Sequence, residues 1–106
     1  MKAMALELHG IEIPRAELLR LCSQNHIRKL ALFGSILTDR FQPSSDVDVL
    51  VEFEEGHVPG FLGLAQMELE LGAMFGRKVD LRTPQELSRY FRDEVVRSAL
   101  VQYERT

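Results

Sequence analysis

A valine-rich run at residues 46–53, DVDVLVEF, constrains the fold of this chain more than any other segment. Valine favours extended backbone, and here it alternates with acidic residues before the run becomes apolar. Successive side chains of a strand point to opposite faces, so Asp46 and Asp48 share one face and the intervening valines share the other. The run therefore predicts a strand that places one face in a core and displays two carboxylates on the other.

The remaining segments predict helices and strands in alternation around this strand. Apolar residues at helical spacing indicate helices over residues 14–26, over residues 61–75 and from Pro84 to near Tyr103. Short apolar runs indicate further strands at residues 30–33 and 78–82, while residues 6–13 fit either a turn of helix or an edge strand. The predicted fold class is α/β, of the α+β kind, with a small mixed β-sheet flanked by helices.

Length, composition and charge limit the kind of protein. A chain of 106 residues, 45% hydrophobic and 27% charged, suits one globular domain over residues 1–106. A net charge of −3 makes nucleic acid an unlikely partner, because a nucleic-acid coat protein needs a basic stripe. No apolar stretch approaches the roughly 20 residues that cross a membrane. A single cysteine and the lack of a signal segment favour a cytoplasmic protein.

The paired aspartates predict a metal site. Asp46 and Asp48 on one strand face repel each other, a cost that a divalent cation removes, and Mg²⁺ prefers carboxylate oxygens, waters and phosphates. Asp80 lies between two apolar residues of the last predicted strand, where an unpaired carboxylate is costly. If the two strands are neighbours, three carboxylates meet and leave room for two metals about 3.5–4 Å apart. This arrangement is typical of phosphoryl transfer.

Gly34 and Ser35 follow the strand predicted at residues 30–33. A glycine lets the backbone approach a phosphate, and a hydroxyl with free N–H groups can hydrogen-bond it, so the pair indicates triphosphate binding. Purely structural roles are also open to these residues: Gly34 could relieve a tight turn, Ser35 could cap the next helix, and Asp80 could face solvent. The histidines at positions 9, 26 and 57 lack the sequence spacing of a zinc site and are expected at or near the surface.

Two motifs, LFGS at residues 32–35 and DVDVLV after a further ten residues, together resemble the signature of the minimal nucleotidyltransferases, relatives of the DNA polymerase β superfamily. RKVDL at residues 77–81 resembles the third-carboxylate strand of that family. The resemblance covers most of the chain. It implies a polymerase β-like nucleotidyltransferase core.

The resemblance also implies residue roles. In similar proteins the serine that matches Ser35, next to Gly34, contacts the terminal phosphates of the nucleotide. The aspartates that match Asp46 and Asp48 bridge two Mg²⁺ ions, and the one that matches Asp80 holds the catalytic metal and activates the attacking hydroxyl. ATP would be the substrate and Mg²⁺ the cofactor.

The chain departs from the family at the phosphate contacts. Many relatives have an arginine one or three positions after the serine, where this chain has Ile36 and Thr38. Three alternatives follow: Arg40 binds the phosphates, Arg77 and Lys78 bind them, or the nucleotide binds weakly.

Small members of the family commonly pair with a HEPN-domain protein as a toxin–antitoxin system. The resemblance implies an antitoxin that transfers AMP from ATP to a hydroxyl of that partner, a tyrosine of the HEPN toxin, and forms a hetero-oligomer with it. In so short a chain, the partner is expected to complete the acceptor site. Two alternatives stay open: a non-catalytic binding module that inhibits its partner by complex formation, and a nucleotidyltransferase acting on a small molecule or an RNA 3′ end.

Overall fold

The computed structural model describes residues 9–105. Its regular elements are α1 (Arg15–Gln24), β1 (Ile27–Phe33), β2 (Val47–Phe53), α2 (Phe61–Phe75), β3 (Val79–Arg82), α3 (Arg92–Ser98) and β4 (Leu100–Glu104). The strands form one mixed sheet in the order β3-β2-β1-β4, in which β1 is antiparallel to both neighbours and β2 is parallel to β3. The predicted fold class, a small mixed sheet flanked by helices, is confirmed.

The core lies on the valine face of β2. Val47, Val49 and Val51 are fully buried, in one cluster with Leu18 of α1 and Leu71 of α2. Burying an aliphatic side chain of this size stabilises a fold by about 1.5–3 kcal/mol. The alternation of the DVDV run thus decides which face of the sheet the helices cover, and the carboxylate of Asp48 is left on the other face.

Helix α2 is the crossover that makes β2 and β3 parallel. Its buried residues Met67, Leu71 and Phe75 recur every four positions and form one apolar stripe. The helix also supports β3, the edge strand, because Glu68 Oε2 accepts a hydrogen bond of 2.7 Å from the Leu81 N–H. An edge-strand donor that would otherwise lack a partner is satisfied in this way.

The helix predicted from Pro84 to near Tyr103 is wrong. The structure has a 3₁₀ turn at Pro84–Glu86, the short helix α3 and then β4. The predicted apolar stripe does not face a core, since Phe91 is 54% exposed. The final segment instead forms β4, which pairs with the free edge of β1. The backbone hydrogen bonds of this pairing stabilise a strand although the apolar residues are spaced as in a helix.

The other predicted elements agree with the structure within a few residues, although β1 begins three residues earlier than expected. Residues 6–8 of the ambiguous segment 6–13 lie outside the described part. His9 and Gly10 form a 3₁₀ turn, and residues 11–13 have no regular structure. Within residues 9–105, no helix is long and apolar enough to cross a membrane.

Candidate active site

Asp48 and Asp80 lie side by side on adjacent parallel strands. They are register partners, as are the preceding residues Val47 and Val79. Both valines are buried in the core, so the two aspartates share the opposite face, where both are partly exposed. The structure therefore brings together two carboxylates that are 32 positions apart in the sequence.

Asp46 joins this pair from the loop that enters β2. It lies one residue before the strand and is partly buried. The Val47 N–H donates a hydrogen bond of 2.9 Å to the Lys78 carbonyl, which ties the start of β2 to the start of β3. The three predicted metal-binding aspartates thus lie at one end of the parallel strand pair. Asp46, Asp48 and Asp80 together form the aspartate cluster.

The electrostatics of the aspartate cluster disfavour a charged Asp48. Burial raises the pKa of the Asp48 carboxyl group, and the negative charges of Asp80 and Asp46 raise it further. The positive charge of Arg82 lowers the pKa of Asp48, but its effect is smaller than the others. A cation placed among these carboxylates would remove both the repulsion and part of the desolvation cost.

Gly34 lies against the Asp48 carboxylate from the β1 side. It follows Phe33, the register partner of Asp48 on β1. Its φ is +82°, and a Cβ placed on it would be 2.2 Å from Asp48 Oδ2 and 3.1 Å from Cγ. A side chain at position 34 would therefore displace the carboxylate, so glycine is required here for close approach as well as for its turn.

Ser35 belongs to the 3₁₀ turn Gly34–Leu37 next to this carboxylate. Its carbonyl accepts hydrogen bonds from the Thr38 N–H at 2.9 Å and the Thr38 hydroxyl at 2.8 Å. Ile36 points into the core and is 1% exposed. Of the two positions at which the family resemblance led us to expect an arginine, position 36 is therefore part of the core, and Thr38 at the other closes the turn.

Arg82 is a cation of the site that was not predicted from the sequence. Its Nε and Nη2 donate to the two carboxylate oxygens of Asp80, each at 3.2 Å. This hydrogen bonding raises the pKa of Arg82 above its already high value. The signal was present in the sequence, because residues two positions apart on a strand share a face.

Among the ion pairs of residues 9–105, none joins Arg40, Arg77 or Lys78 to the aspartates. Arg40 is exposed in the loop after the 3₁₀ turn. The Arg77 guanidinium lies 4.4 Å from the centroid of the Phe41 ring and donates to the Ser45 carbonyl at 2.7 Å. Arg77 thus holds the loop that leads to Asp46.

Two of the histidines also lie together, which their sequence spacing did not predict. The rings of His26 and His57 stack with centroids 3.9 Å apart. Both side chains are accessible, as expected, but they are neighbours at the far end of the β1–β2 pair.

A mixed sheet that carries carboxylates on adjacent parallel strands, beside a Gly-Ser turn, is typical of nucleotidyl transfer enzymes. The family model for the nucleotidyltransferase domain matches residues 15–103, so the chain belongs to the nucleotidyltransferase domain family. This match confirms the predicted enzyme class.

Curated relatives agree with this family. The chain is 30% identical over 74 residues to a provisionally named protein adenylyltransferase of Methanocaldococcus jannaschii, an alignment that covers 70% of this chain and 77% of the relative. It is 40% identical over 55 residues to the protein adenylyltransferase MntA of Thermococcus cleftensis, covering 52% of this chain and 54% of that protein. The aligned part is thus only about half of the Thermococcus protein.

Solved structures agree with the fold. A structure provisionally described as a minimal nucleotidyltransferase superposes with a TM-score of 0.66 at 32% identity, covering 81% of this chain and 86% of the other. A toxin–antitoxin structure with AMP-PNP superposes with a TM-score of 0.69 at 18% identity, covering 89% of this chain and 76% of the other. A complex of tri-AMPylated Shewanella oneidensis HEPN toxin with MNT antitoxin gives 0.61 at 18%, with coverages of 86% and 70%. The first confirms the predicted resemblance to minimal nucleotidyltransferases; the other two show the shared fold.

Proposed function

We propose that this chain is a Mg²⁺-dependent protein adenylyltransferase that transfers AMP from ATP to a hydroxyl group of a partner protein, with residues 1–106 acting as one minimal nucleotidyltransferase domain. The observation that carries the proposal is the register pairing of Asp48 with Asp80, with Gly34 against Asp48. Catalysis by aligned carboxylates of this kind requires little more than positioning and charge neutralisation.

Asp46, Asp48 and Asp80 are the proposed ligands of two Mg²⁺ ions. Their donor set fits the ion, because Mg²⁺ prefers carboxylate oxygens and retains sites for water and phosphate. The raised pKa of Asp48 and the mutual repulsion of the carboxylates are relieved by a bound cation. When bound, Mg²⁺ would neutralise charge that develops on the phosphates.

Gly34 and Ser35 are the proposed nucleotide contacts. The Ser35 side chain is partly exposed beside the aspartate cluster, and its hydroxyl can donate to a terminal phosphate oxygen. Arg40 is accessible from the adjoining loop and supplies positive charge. Because Arg82 is already on the carboxylate face, it is a further candidate to meet phosphate charge when it leaves Asp80.

The reaction forms a bond between the acceptor oxygen and the α-phosphorus of ATP and breaks the bond between that phosphorus and the α,β-bridging oxygen. Pyrophosphate leaves with the bonding electrons. Asp80 is the carboxylate proposed to accept the proton of the attacking hydroxyl. It lies on the edge strand of the sheet, next to solvent, where an acceptor side chain can reach it.

The partner that we propose is a HEPN-domain toxin, the acceptor is one of its tyrosines, and the chain is its antitoxin. The support is the naming of the relatives as protein adenylyltransferases and the Shewanella complex in which a HEPN toxin carries AMP groups. AMP would silence such a partner by adding bulk and negative charge to the modified side chain.

The experiment is an intact-mass measurement on both chains after incubation of the protein with its candidate HEPN partner, ATP and Mg²⁺. The wild type is expected to raise the mass of the partner by whole AMP units, and Asp48→Asn is expected to leave it unchanged. Glu52→Gln is the matched control, because it removes a carboxylate from the same strand outside the aspartate cluster. Equal labelling by wild type and Asp48→Asn would refute the proposal.

A non-catalytic antitoxin is the second candidate. It is favoured by Ile36, which places a core residue where many relatives have a cation, and by the engagement of Asp80 with Arg82. In that case the partner is bound and inhibited without a mass change, and the double variant Asp46→Asn/Asp48→Asn inhibits as well as the wild type. The same incubation therefore separates the two functions.

A further inference from the structure

A second cluster of metal-ligating side chains lies at the opposite end of β2 from the aspartates. His26 precedes β1, Glu54 directly follows β2, and His57 closes the next turn. One ligand atom from each of the three lies within 4.8 Å of the others. Glu54 is six residues from Asp48 along an extended strand, which corresponds to about 20 Å at ~3.3 Å per residue. The cluster is therefore separate from the candidate active site.

Backbone hydrogen bonds hold the three residues in place. The Glu54 N–H donates to the His26 carbonyl at 2.8 Å, and the His57 N–H donates to the Glu54 carbonyl at 3.0 Å. The second bond closes a tight turn whose third residue, Gly56, has a φ of +81° that only glycine adopts readily. The main chain thus fixes the three side chains as neighbours before any ligand binds.

The three side chains lie within reach of one ion once the imidazole rings turn out of their stack, because a bound metal lies in the plane of each ring. His26 Nδ1 lies 3.7 Å from Glu54 Oε1, and the His57 ring stacks on the His26 ring. The other oxygen, Glu54 Oε2, pairs with the Arg105 guanidinium. Arg105 thereby orients the carboxylate and leaves Oε1 turned toward the imidazoles, as residues behind a metal ligand commonly do.

His26 also has an unusual backbone. Its φ is +56°, in the left-handed region that non-glycine residues seldom occupy. His26 directly follows Asn25, the C-cap of α1, and a left-handed residue at this position commonly ends a helix. Here the conformation turns the chain between α1 and β1 and brings the His26 ring over the end of β2.

We propose that His26, Glu54 and His57 bind Zn²⁺, with water at the fourth position. Two imidazole nitrogens and one carboxylate oxygen form a donor set that suits Zn²⁺, whereas Mg²⁺ prefers oxygen ligands alone. Ligand atoms bound to one zinc lie closer together than 4.8 Å, and rotations of these accessible side chains close the difference. The ion would link the start of β1, the end of β2 and the 54–57 turn. The inference is independent of the proposed transferase activity.

The first test uses tag-free protein with ¹⁵N-labelled histidine, titrated with Zn²⁺ at a pH above the ordinary histidine pKa of about 6.5. The chain contains three histidines, and His9 is an internal control because its ring lies on Phe41 with Nε2 on the Ile36 carbonyl. One equivalent of Zn²⁺ is expected to shift the ring signals of His26 and His57 and to leave His9 unchanged. No shift, or equal shifts of all three at the same zinc concentration, would overturn the proposal.

The second test compares variants by zinc titration calorimetry and thermal unfolding in excess Mg²⁺. His57→Ala removes an exposed ligand and is expected to weaken zinc binding by about tenfold or more and to abolish the rise in Tm that zinc produces in the wild type. Glu55→Gln alters the same turn without removing a ligand, and Asp48→Asn alters the aspartate cluster; both should bind zinc like the wild type. Equal zinc affinity of His57→Ala and wild type would refute the site, whether or not AMP transfer is observed.

Discussion

Gly34 and Asp48 pack so closely that a Cβ on Gly34 would lie 2.2 Å from the Asp48 Oδ2 atom. The contact joins the LFGS motif to the DVDV motif in space. Because Asp48 is also the register partner of Asp80, one carboxylate connects the Gly-Ser turn with both parallel strands. The Gly-Ser turn and the carboxylates of Asp48 and Asp80 therefore lie next to one another.

Gly34→Ala is expected to lower the free energy of unfolding by about 1–3 kcal/mol and to abolish AMP transfer, because the new methyl group displaces the Asp48 carboxylate and the left-handed φ is strained. Denaturant unfolding and the intact-mass assay measure the two effects. Two controls separate backbone strain from the steric clash. Gly76 has a φ of +69° with open space around it, so Gly76→Ala measures strain alone, whereas Gly60 has neither a positive φ nor a close neighbour, so Gly60→Ala should show no effect of either kind. Full transfer activity in Gly34→Ala would contradict this account.

Asp48→Asn is expected to stabilise the metal-free fold slightly, by less than about 1 kcal/mol, while it removes activity. The substitution relieves repulsion from the other two aspartates, and the partial exposure of the side chain keeps the gain small. Urea unfolding in the presence of a chelator measures the change. With Mg²⁺ added, the wild type should gain stability and the variant should gain less.

The stability advantage of Asp48→Asn should depend on pH. The folded-state pKa of Asp48 lies above its unfolded value, so its contribution to stability is fully present below the unfolded pKa and is lost as pH rises through the folded pKa. In the absence of metal, the two proteins should therefore differ most near neutral pH and converge in acid. If the stability of Asp48→Asn relative to the wild type instead increased as pH falls, the folded-state pKa of Asp48 would be depressed rather than raised.

Arg82→Gln is expected to tighten Mg²⁺ binding several-fold in the absence of nucleotide. The Arg82 guanidinium contacts both oxygens of Asp80 and competes with a metal for them. The ion pair is partly exposed, so the cost in stability should stay within about 1 kcal/mol. Calorimetric Mg²⁺ titration provides the measurement. Arg97→Gln, which breaks the exposed pair with Glu94, is the control and should leave Mg²⁺ affinity unchanged.

Leu71→Ala is expected to destabilise the protein by about 2–5 kcal/mol, because Leu71 is fully buried between α2 and the sheet. Leu69→Ala, in the same helix, removes a side chain that is 71% exposed and should change stability little. Thermal or urea unfolding of the two variants gives the comparison. Similar losses in both would mean that α2 packs through a different face.

Local sequence patterns were sufficient to predict most of the helices and strands. The spacing of Met67, Leu71 and Phe75 predicts α2, and the valine alternation predicts β2 together with its core face. The same rule failed from Leu87 to Val95, where helical spacing occurs without a core to face. A helical pattern has predictive value only when another element covers its apolar stripe, and that depends on packing.

The sequence by itself determined which residues carry the candidate chemistry: the Gly-Ser pair, the two aspartates at the start of the valine-rich strand and a third in an apolar strand. The structure places Asp46 one residue before that strand rather than on it. Only the tertiary structure decided that Asp48 and Asp80 are in register, that Arg82 holds Asp80, and that His26 and His57 meet beside Glu54. The physical reason is the difference in sequence separation between the interactions involved. Side-chain alternation and turn chemistry act over a few residues, whereas strand order, register and loop return depend on contacts between segments far apart in the chain.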